Sequence, residues 1–150
     1  MHTKRTKSLA AALLLLLAAG AALLTGAARA GEDADEIAIR QAVQYYFDGG
    51  TNADSNTLRK AFHPDARMLF VRDGKYVAMP IGEYITRSGT AKSPASQGTQ
   101  KRVVSIDRTG NAAVARLDQR RPDGGVVVDY MSLLKVDGRW VIVNKIFDRQ

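Results

Sequence analysis

The C-terminal half of the chain contains four strand-length segments that are separated from one another by only two to four turn residues. The turn residues are mostly Gly, Asn and Asp, which adopt the backbone conformations that tight hairpins need. Strands joined by such short connections must be antiparallel, because a parallel neighbour requires a long crossover. The pattern therefore predicts an antiparallel meander over residues 101–108, 112–121, 126–136 and 139–147.

A helical pattern precedes this meander. Apolar residues recur at three- and four-residue spacing before Gly49-Gly50, which is typical of an amphipathic helix that ends at the glycines; they are Ile39, Val43, Tyr46 and Phe47. The segments that follow are shorter and are bounded by Pro, Gly or Asp residues. They predict, in chain order, a helix over 56–62, strands over 67–71 and 75–79, a helix over 80–87 and a polar loop over 88–100.

Three helices and a bent antiparallel sheet define an α+β fold in which the helices pack on one face of the sheet. Strict alternation along the last strand places Trp140, Ile142 and Asn144 on one face and Val143 and Lys145 on the other. Both faces of this strand are largely apolar. We therefore expect the back of the sheet to be covered as well, which a homodimer stacked sheet to sheet would achieve.

Residues 1–30 have the three parts of a secretory signal peptide. Lys4, Arg5 and Lys7 form a cationic start, an Ala/Leu-rich run covers residues 9–24, and Ala28-Arg29-Ala30 is a small-x-small cleavage site. The apolar run is shorter than the roughly 20 residues that a helix needs to span a bilayer. We therefore expect a signal peptide over 1–30, a domain over 31–150, and a periplasmic or secreted product without membrane association after cleavage.

The composition excludes several functional classes. Without the leader, the chain carries 18 Lys+Arg against 15 Asp+Glu, and its arginines are not interleaved with aromatic residues, so nucleic-acid binding is not expected. The chain has no cysteine, and His63 is the only histidine after the leader, so no metal site is expected. The sequence also lacks a glycine-rich phosphate loop and a nucleophile elbow, and we expect no cofactor.

Two groups of residues resemble a known superfamily. The pattern Ile39…Val43…Tyr46…Gly50 with the later segment 58–66 resembles the nuclear-transport-factor-2-like proteins, and residues 129–147 are similar to their lumazine-binding-like (SnoaL-like) branch. The resemblance spans residues 36–148. It implies a cystatin-like cone in which a curved sheet wraps around helices, a single deep pocket inside the cone, and frequent dimers.

The resemblance implies a fold more than an activity, because the superfamily includes isomerases, dehydratases, cyclases, hydrolases and non-catalytic binders. In its ketosteroid isomerases, a carboxylate base stands on the first strand at the position that Phe70 occupies here. That mechanism is therefore not implied for this chain.

A ligand-binding set is predicted inside the cone. The hydroxyl groups of Tyr46 and Tyr84 either hydrogen-bond a ligand carbonyl or reach water from the core. Asn144 interrupts an apolar strand face, where its amide needs water, a tyrosine hydroxyl or a ligand as a partner. Methionine and aromatic side chains supply an adaptable apolar lining. The predicted ligand-binding residues are Tyr46, Met68, Phe70, Met79, Tyr84, Met131, Trp140 and Asn144.

Two side chains are weak catalytic candidates. His63 is able to act as a general base, but its position directly before Pro64-Asp65 favours a structural turn. Asp129 shares a strand face with Met131 and points into the cone if that face is the inner one. A register difference of one residue would turn Asp129 outward. Both alternatives remain open for Asp129.

Three functional hypotheses follow. The first is an exported, non-catalytic protein that binds a small apolar or aromatic molecule inside the cone. The second is an isomerase- or dehydratase-like enzyme that uses Tyr, His and Asp acid–base groups in the same pocket. The third is a dimeric association module whose sheet surface carries the function.

Overall fold

The computed structural model describes residues 34–90, 92 and 97–150. The predicted signal peptide and the middle of the predicted 88–100 loop lie outside the described residues. From residue 36 onward the chain forms one compact unit. No helix within the described ranges is both long and apolar enough to cross a membrane.

The described residues form three helices and six strands. The first helix, α1, covers residues 34–52, and the other two are α2 (Ser55–Ala61) and α3 (Ile81–Ser88). The strands are β1 (Phe62–Arg72), β2 (Lys75–Pro80), β3 (Gln100–Thr109), β4 (Ala112–Arg120), β5 (Val126–Val136) and β6 (Arg139–Arg149).

The six strands form one sheet in the order β2-β1-β6-β5-β4-β3. The neighbours β3, β4, β5 and β6 pair antiparallel, which confirms the predicted meander, and β1 pairs antiparallel with β2. The central pair, β1 with β6, is parallel. This pairing was not predicted from the sequence, because the two strands are far apart in the chain and no turn length constrains their relative direction.

Bulges bend the sheet at two points of the meander. The register between β3 and β4 shifts at Val104, and the register between β5 and β6 shifts at Val143. A bulge adds one residue to one strand and increases the local bend and twist. The two shifts therefore help the sheet to curve around the helices.

The bulge at Val143 also reverses the alternation of β6. Ile142 belongs to the core cluster, and Lys145, three residues later, contacts Tyr46 of α1. Asn144 consequently lies on the opposite face from Lys145. The strict alternation predicted for this strand is wrong beyond Val143, because the extra residue changes the parity of every position that follows it.

Helix α1 buries its predicted apolar face against the sheet. Ile39, Val43, Tyr46 and Phe47 are all buried in the core cluster. Gly49, on the same helix, allows close contact with α2, because a Cβ atom there would lie 2.8 Å from the backbone nitrogen of Leu58. Gly49 therefore contributes to packing, and the glycine pair does not terminate the helix, since α1 continues to residue 52.

Candidate functional site

The inner face of the sheet and helices α1 and α3 line a cavity of about 390 Å³. Five residues of the predicted ligand-binding set lie in its wall, namely Tyr46, Met68, Phe70, Met79 and Tyr84. The wall also contains residues that the sequence analysis did not select: Arg72, Arg87, Ser88, Gln119, Val127, Lys145, Phe147 and Arg149.

The other predicted residues lie elsewhere. Met131 and Trp140 are buried in the hydrophobic core and do not line the cavity. Asn144 is turned away from it by the bulge in β6. His63 stands at the start of β1, where its Nδ1 accepts a hydrogen bond from the backbone N–H of Asp65 at 3.2 Å, as expected for a structural role.

A buried polar network forms the inner end of the cavity. Its centre is the hydroxyl group of Tyr46, which accepts hydrogen bonds from Lys145 Nζ at 2.6 Å and from Gln119 Nε2 at 3.1 Å. The same hydroxyl donates to Asp129 Oδ2 at 3.0 Å. Gln119 Nε2 also donates to Asp129 Oδ2 at 2.6 Å. Four polar side chains from α1, β4, β5 and β6 thus meet at one point.

Lys145 and Asp129 form an ion pair within this network. Lys145 Nζ lies 2.8 Å from Asp129 Oδ1, and the two side chains are 5% and 0% exposed. Oδ1 makes no hydrogen bond of good geometry, so its contact with the ammonium group is electrostatic. The inward alternative for Asp129 is therefore the one that the structure shows.

Strand register explains why these two residues meet. Asp129 pairs with Phe147 across the β5–β6 ladder, and Lys145 pairs with Met131. Lys145 is therefore two residues away from the position directly opposite Asp129. The two residues are diagonal neighbours on the same face of the sheet, a separation that a long side chain can span. Without the bulge at Val143, Lys145 would share its face with outward residues and the pair would not form.

Burial changes the proton affinities at the site. Desolvation lowers the pKa of Lys145, and the negative charge of Asp129 opposes this change. Desolvation raises the pKa of Tyr46 well above its ordinary value, and Asp129 adds to that rise. Desolvation also raises the pKa of Tyr84 to about 12. Both tyrosines therefore stay protonated at neutral pH, and the proton of Tyr46 is the one that its hydroxyl donates to Asp129.

Aromatic rings surround the ammonium group of Lys145. Nζ lies 4.6 Å from the ring centroid of Phe147, 4.8 Å from that of Tyr46 and 5.9 Å from that of Tyr84. Ring faces attract cations at such distances. The amine thus projects into an aromatic pocket.

Three arginines also contribute to the cavity wall. Arg87 pairs with Glu83 on α3 at 3.1 Å. Arg72 and Arg149 lie over the rings of Phe70 and Phe147, at 5.1 and 5.7 Å from the centroids. Neither has a carboxylate partner among the described residues, so their charge is available to a ligand.

The described residues contain no cluster of three or more His, Cys, Asp or Glu side chains that could hold a metal ion. The polar groups that line the cavity are instead an amine, phenols, a hydroxyl, an amide and guanidinium groups, and the carboxylate of Asp129 lies buried behind the amine. Such a set can orient a carbonyl or carboxylate compound and can move a proton near it.

Sequence reasoning missed Lys145, Gln119 and the arginines. The available signal for Lys145 was a charged residue within a strand that is otherwise apolar, which usually indicates a paired or functional charge. Strict alternation placed this lysine on the outer face, where a charge needs no explanation.

The fold and the cavity define an α+β cone of the nuclear-transport-factor-2-like class. Residues 34–148 match the family described as putative lumazine-binding, and the chain belongs to that family. This result confirms both levels of the resemblance that the sequence suggested.

Solved structures share the same architecture. An NTF2-like protein of unknown function from Shewanella baltica OS155 is 32% identical, covers 77% of this chain and 94% of its own, and superposes with a TM-score of 0.70. A domain of unknown function with a cystatin-like fold from Nostoc punctiforme PCC 73102 is 17% identical, covers 78% of each chain and has a TM-score of 0.63. The predicted fold class is confirmed.

One curated protein is also similar. It is named "Aldolase FrzH", comes from a Cladobotryum species, and is 24% identical over 103 residues, which is 68% of this chain and 81% of that protein.

Proposed function

We propose that this protein binds a small organic molecule inside the cone, with a carbonyl-type acceptor at Tyr46 and Lys145 and a negative charge near Arg72 and Arg149. The observation that carries the proposal is the buried ion pair of Lys145 and Asp129 at the inner end of the cavity. The body of the ligand would lie against the methionine and aromatic wall.

The energetics of the ion pair support a functional role. Taking two charges out of water costs several kcal/mol per ion, and an apolar pair of the same volume often serves stability equally well. Titratable groups that are perturbed by burial and grouped in a cleft are therefore candidates for a functional site. The cavity of about 390 Å³ is in the size range of small-molecule sites.

The charge of the cavity wall supports an anionic ligand. The charged residues that line it are Arg72, Arg87, Lys145 and Arg149, and no carboxylate is among the described residues of the wall. The ligand predicted from the sequence was a small apolar or aromatic molecule. Because arginines attract anions, we add a negatively charged group to that ligand. Phe70 and Phe147 still favour an aromatic body.

Thermal shift measurements with three matched compounds test the proposal. Phenylpyruvate has the aromatic body, the ketone and the carboxylate, phenyllactate replaces the ketone by an alcohol, and phenylacetone lacks the carboxylate. Saturating phenylpyruvate at about 100 times its Kd should add about 2.7 kcal/mol of stability. Phenylacetone should give a smaller shift.

Arginine variants supply the control. Arg149→Gln should weaken the response to phenylpyruvate, whereas Arg139→Gln, at the other end of β6 and exposed, should leave it unchanged. The proposal is wrong if none of the three compounds changes the melting temperature, or if both variants respond like the unmodified protein.

A second candidate function is proton transfer on the bound carbonyl compound. It is favoured by the distances of 2.6 to 3.0 Å that join the Lys145 amine, the Tyr46 hydroxyl and the Asp129 carboxylate. The aldolase name of the Cladobotryum relative supports carbonyl chemistry. Deuterium exchange at the benzylic carbon of phenylpyruvate in D₂O, followed by NMR, should be faster with the protein than with its Tyr46→Phe variant. Equal rates would leave binding as the function.

The outer face of the sheet supports a homodimer. Large apolar side chains on this face are 42–70% exposed, namely Val71, Tyr76, Val114, Tyr130, Leu134 and Ile146. Arg116 and Asp148 also line its concavity of about 770 Å³. A two-fold axis would bring the same patch of a second copy onto it, so that opposite charges can face each other.

Light scattering on an Ile146→Asp variant tests the dimer. The variant should be monomeric where the unmodified protein is dimeric, while Ile37→Asp, at a more exposed apolar position on α1, should leave the dimer intact. A monomeric unmodified protein would contradict this proposal.

Export remains a proposal that rests on residues 1–30 alone. The cationic start, the apolar run and the small-residue site support it. Expression in a bacterial host followed by fractionation should yield, outside the cytoplasm, a product that begins at Gly31. An uncleaved chain retained in the cytoplasm would contradict it.

A further inference from the structure

Lys145 is the amine that the fold places at the cavity. Its side chain is 5% exposed, and Nζ lines the cavity next to the rings of Tyr46 and Phe147. Among the described residues of the wall there is no other primary amine and, apart from Ser88 and the two tyrosines, no other nucleophilic side chain. A ligand that enters the cavity therefore meets an amine that is almost completely shielded from solvent.

Building on the proposed carbonyl ligand, we infer that Lys145 binds it covalently, by forming an imine between Nζ and the carbonyl carbon. The ligand class is a small ketone or aldehyde that also carries a carboxylate. This inference rests on the proposed function and deepens it, since reversible binding in the same cavity does not require the covalent step.

The step balances with groups that the site contains. The neutral amine attacks the carbonyl carbon, and a C–N bond forms as the C=O π bond breaks. The nitrogen loses a proton and the oxygen takes one, which gives a neutral carbinolamine. The nitrogen lone pair then forms the C=N bond as the C–O bond breaks and the oxygen takes a second proton and leaves as water. Starting from the ammonium form, the nitrogen goes from three hydrogens to one, and two hydrogens leave with the water.

Tyr46 and Asp129 are placed to move those protons. The Tyr46 hydroxyl lies 2.6 Å from Nζ, and Asp129 Oδ1 lies 2.8 Å from it. Asp129 accepts a proton from the ammonium group. The Tyr46 hydroxyl is in position to supply a proton to the departing oxygen and to take one back from Asp129, to which it is hydrogen-bonded. Burial lowers the pKa of Lys145, which increases the neutral fraction that can attack.

The ion pair also suits the product. A protonated imine carries the same positive charge as the ammonium group that it replaces. Asp129 therefore has a cationic partner before and after the reaction, and while the nitrogen is neutral Asp129 carries the proton it has accepted, so no charge of this pair is left uncompensated in the protein interior. Replacing Lys145 and Asp129 by apolar residues would remove both the nucleophile and the compensation of charge.

Reductive trapping tests the inference directly. The complete predicted domain, residues 31–150, is incubated with phenylpyruvate and sodium cyanoborohydride at neutral pH. The modified lysine is identified by peptide mass spectrometry. We expect one adduct per chain at Lys145, formed at least about tenfold faster than at the exposed Lys75, because a carbonyl compound held in the cavity meets the amine at a high effective concentration. Modification of Lys75 at the same rate or faster would overturn the inference.

Two further arms separate this inference from the proposed function. Lys145→Arg retains a cation for Asp129 but cannot form an imine, so it should remain folded and lose the adduct. Phenyllactate, which has no carbonyl group, should still shift the melting temperature and give no adduct. If both compounds shift the melting temperature but no adduct forms at Lys145, the imine is wrong and the binding site stands. If neither compound shifts it, the proposed function itself fails.

Discussion

The ammonium nitrogen of Lys145 and the carboxylate of Asp129 lie 2.8 Å apart on adjacent strands, and both side chains are almost completely buried. Neither charge has bulk water as an alternative partner. The stability of the fold therefore depends on the two residues together. An apolar pair would often stabilise a fold equally well, so folding alone does not explain why charged residues stand next to the cavity.

Removing one member of this pair should be more harmful than removing both. Asp129→Leu or Lys145→Met alone leaves an uncompensated buried charge, and each should lower the free energy of unfolding by about 3–5 kcal/mol. The double variant should lose less than either single variant. Urea unfolding of the four proteins gives the coupling energy directly. Losses that simply add would show that the two charges do not interact.

The hydroxyl group of Tyr46 should contribute to stability as well as to ligand contact. It makes three hydrogen bonds, with Lys145, Gln119 and Asp129. Tyr46→Phe keeps the ring but leaves buried polar groups without a partner, at a cost of about 1–3 kcal/mol. The neighbouring Tyr45→Phe is the matched control and should change the free energy of unfolding by less than about 0.5 kcal/mol. Equal effects of the two variants would contradict the role of the network.

Lys145 should titrate below the ordinary pKa of a lysine. Burial lowers its pKa from the ordinary 10.5, while Asp129 opposes the change and Arg149 adds to it; Tyr46 and Tyr84 also face the amine. In nitrogen-15 NMR, the midpoint of the change in the Nζ signal of Lys145 should therefore lie below pH 10.5. A midpoint at or above that pH would contradict this prediction.

The same change in pKa links stability to pH. Between the folded pKa of Lys145 and 10.5, the unfolded chain binds more protons than the folded chain. The contribution of Lys145 to the free energy of unfolding therefore rises with pH across that interval. Below the folded pKa, both states carry the ammonium group, and the cost of burying it is present in full.

The two adjacent glycines of α1 should respond oppositely to substitution. A Cβ atom at Gly49 would lie 2.8 Å from the backbone nitrogen of Leu58, which cannot move aside, so Gly49→Ala should cost about 1–3 kcal/mol. A Cβ atom at Gly50 meets only the Tyr84 hydroxyl at 3.6 Å. Gly50→Ala should stabilise the helix by up to about 1 kcal/mol. Thermal unfolding of both variants measures the difference. A destabilised Gly50→Ala protein would show that the space next to Gly50 does not accommodate a methyl group.

Local patterns were sufficient for most elements. The meander from β3 to β6 follows from short turns, and the buried face of α1 follows from the spacing of Ile39, Val43, Tyr46 and Phe47. Both signals depend on neighbours in the chain, so they can be read without knowledge of the fold. From the sequence, Asp129 could point either inward or outward, because a register shift of one residue moves every side chain of a strand to its other face.

The amino-acid sequence by itself determined the class of fold, the order of the elements, the family, and an aromatic and methionine-rich cavity wall. Only the tertiary structure decided which polar groups meet in that cavity. The bulge at Val143 turns Lys145 inward and Asn144 outward, and the parallel pairing of β1 with β6 brings Arg72 and Arg149 to the same cavity. The physical reason is that a bulge and a long-range strand pairing are settled by the packing of the whole sheet, whereas periodicity and turns are settled within a few residues.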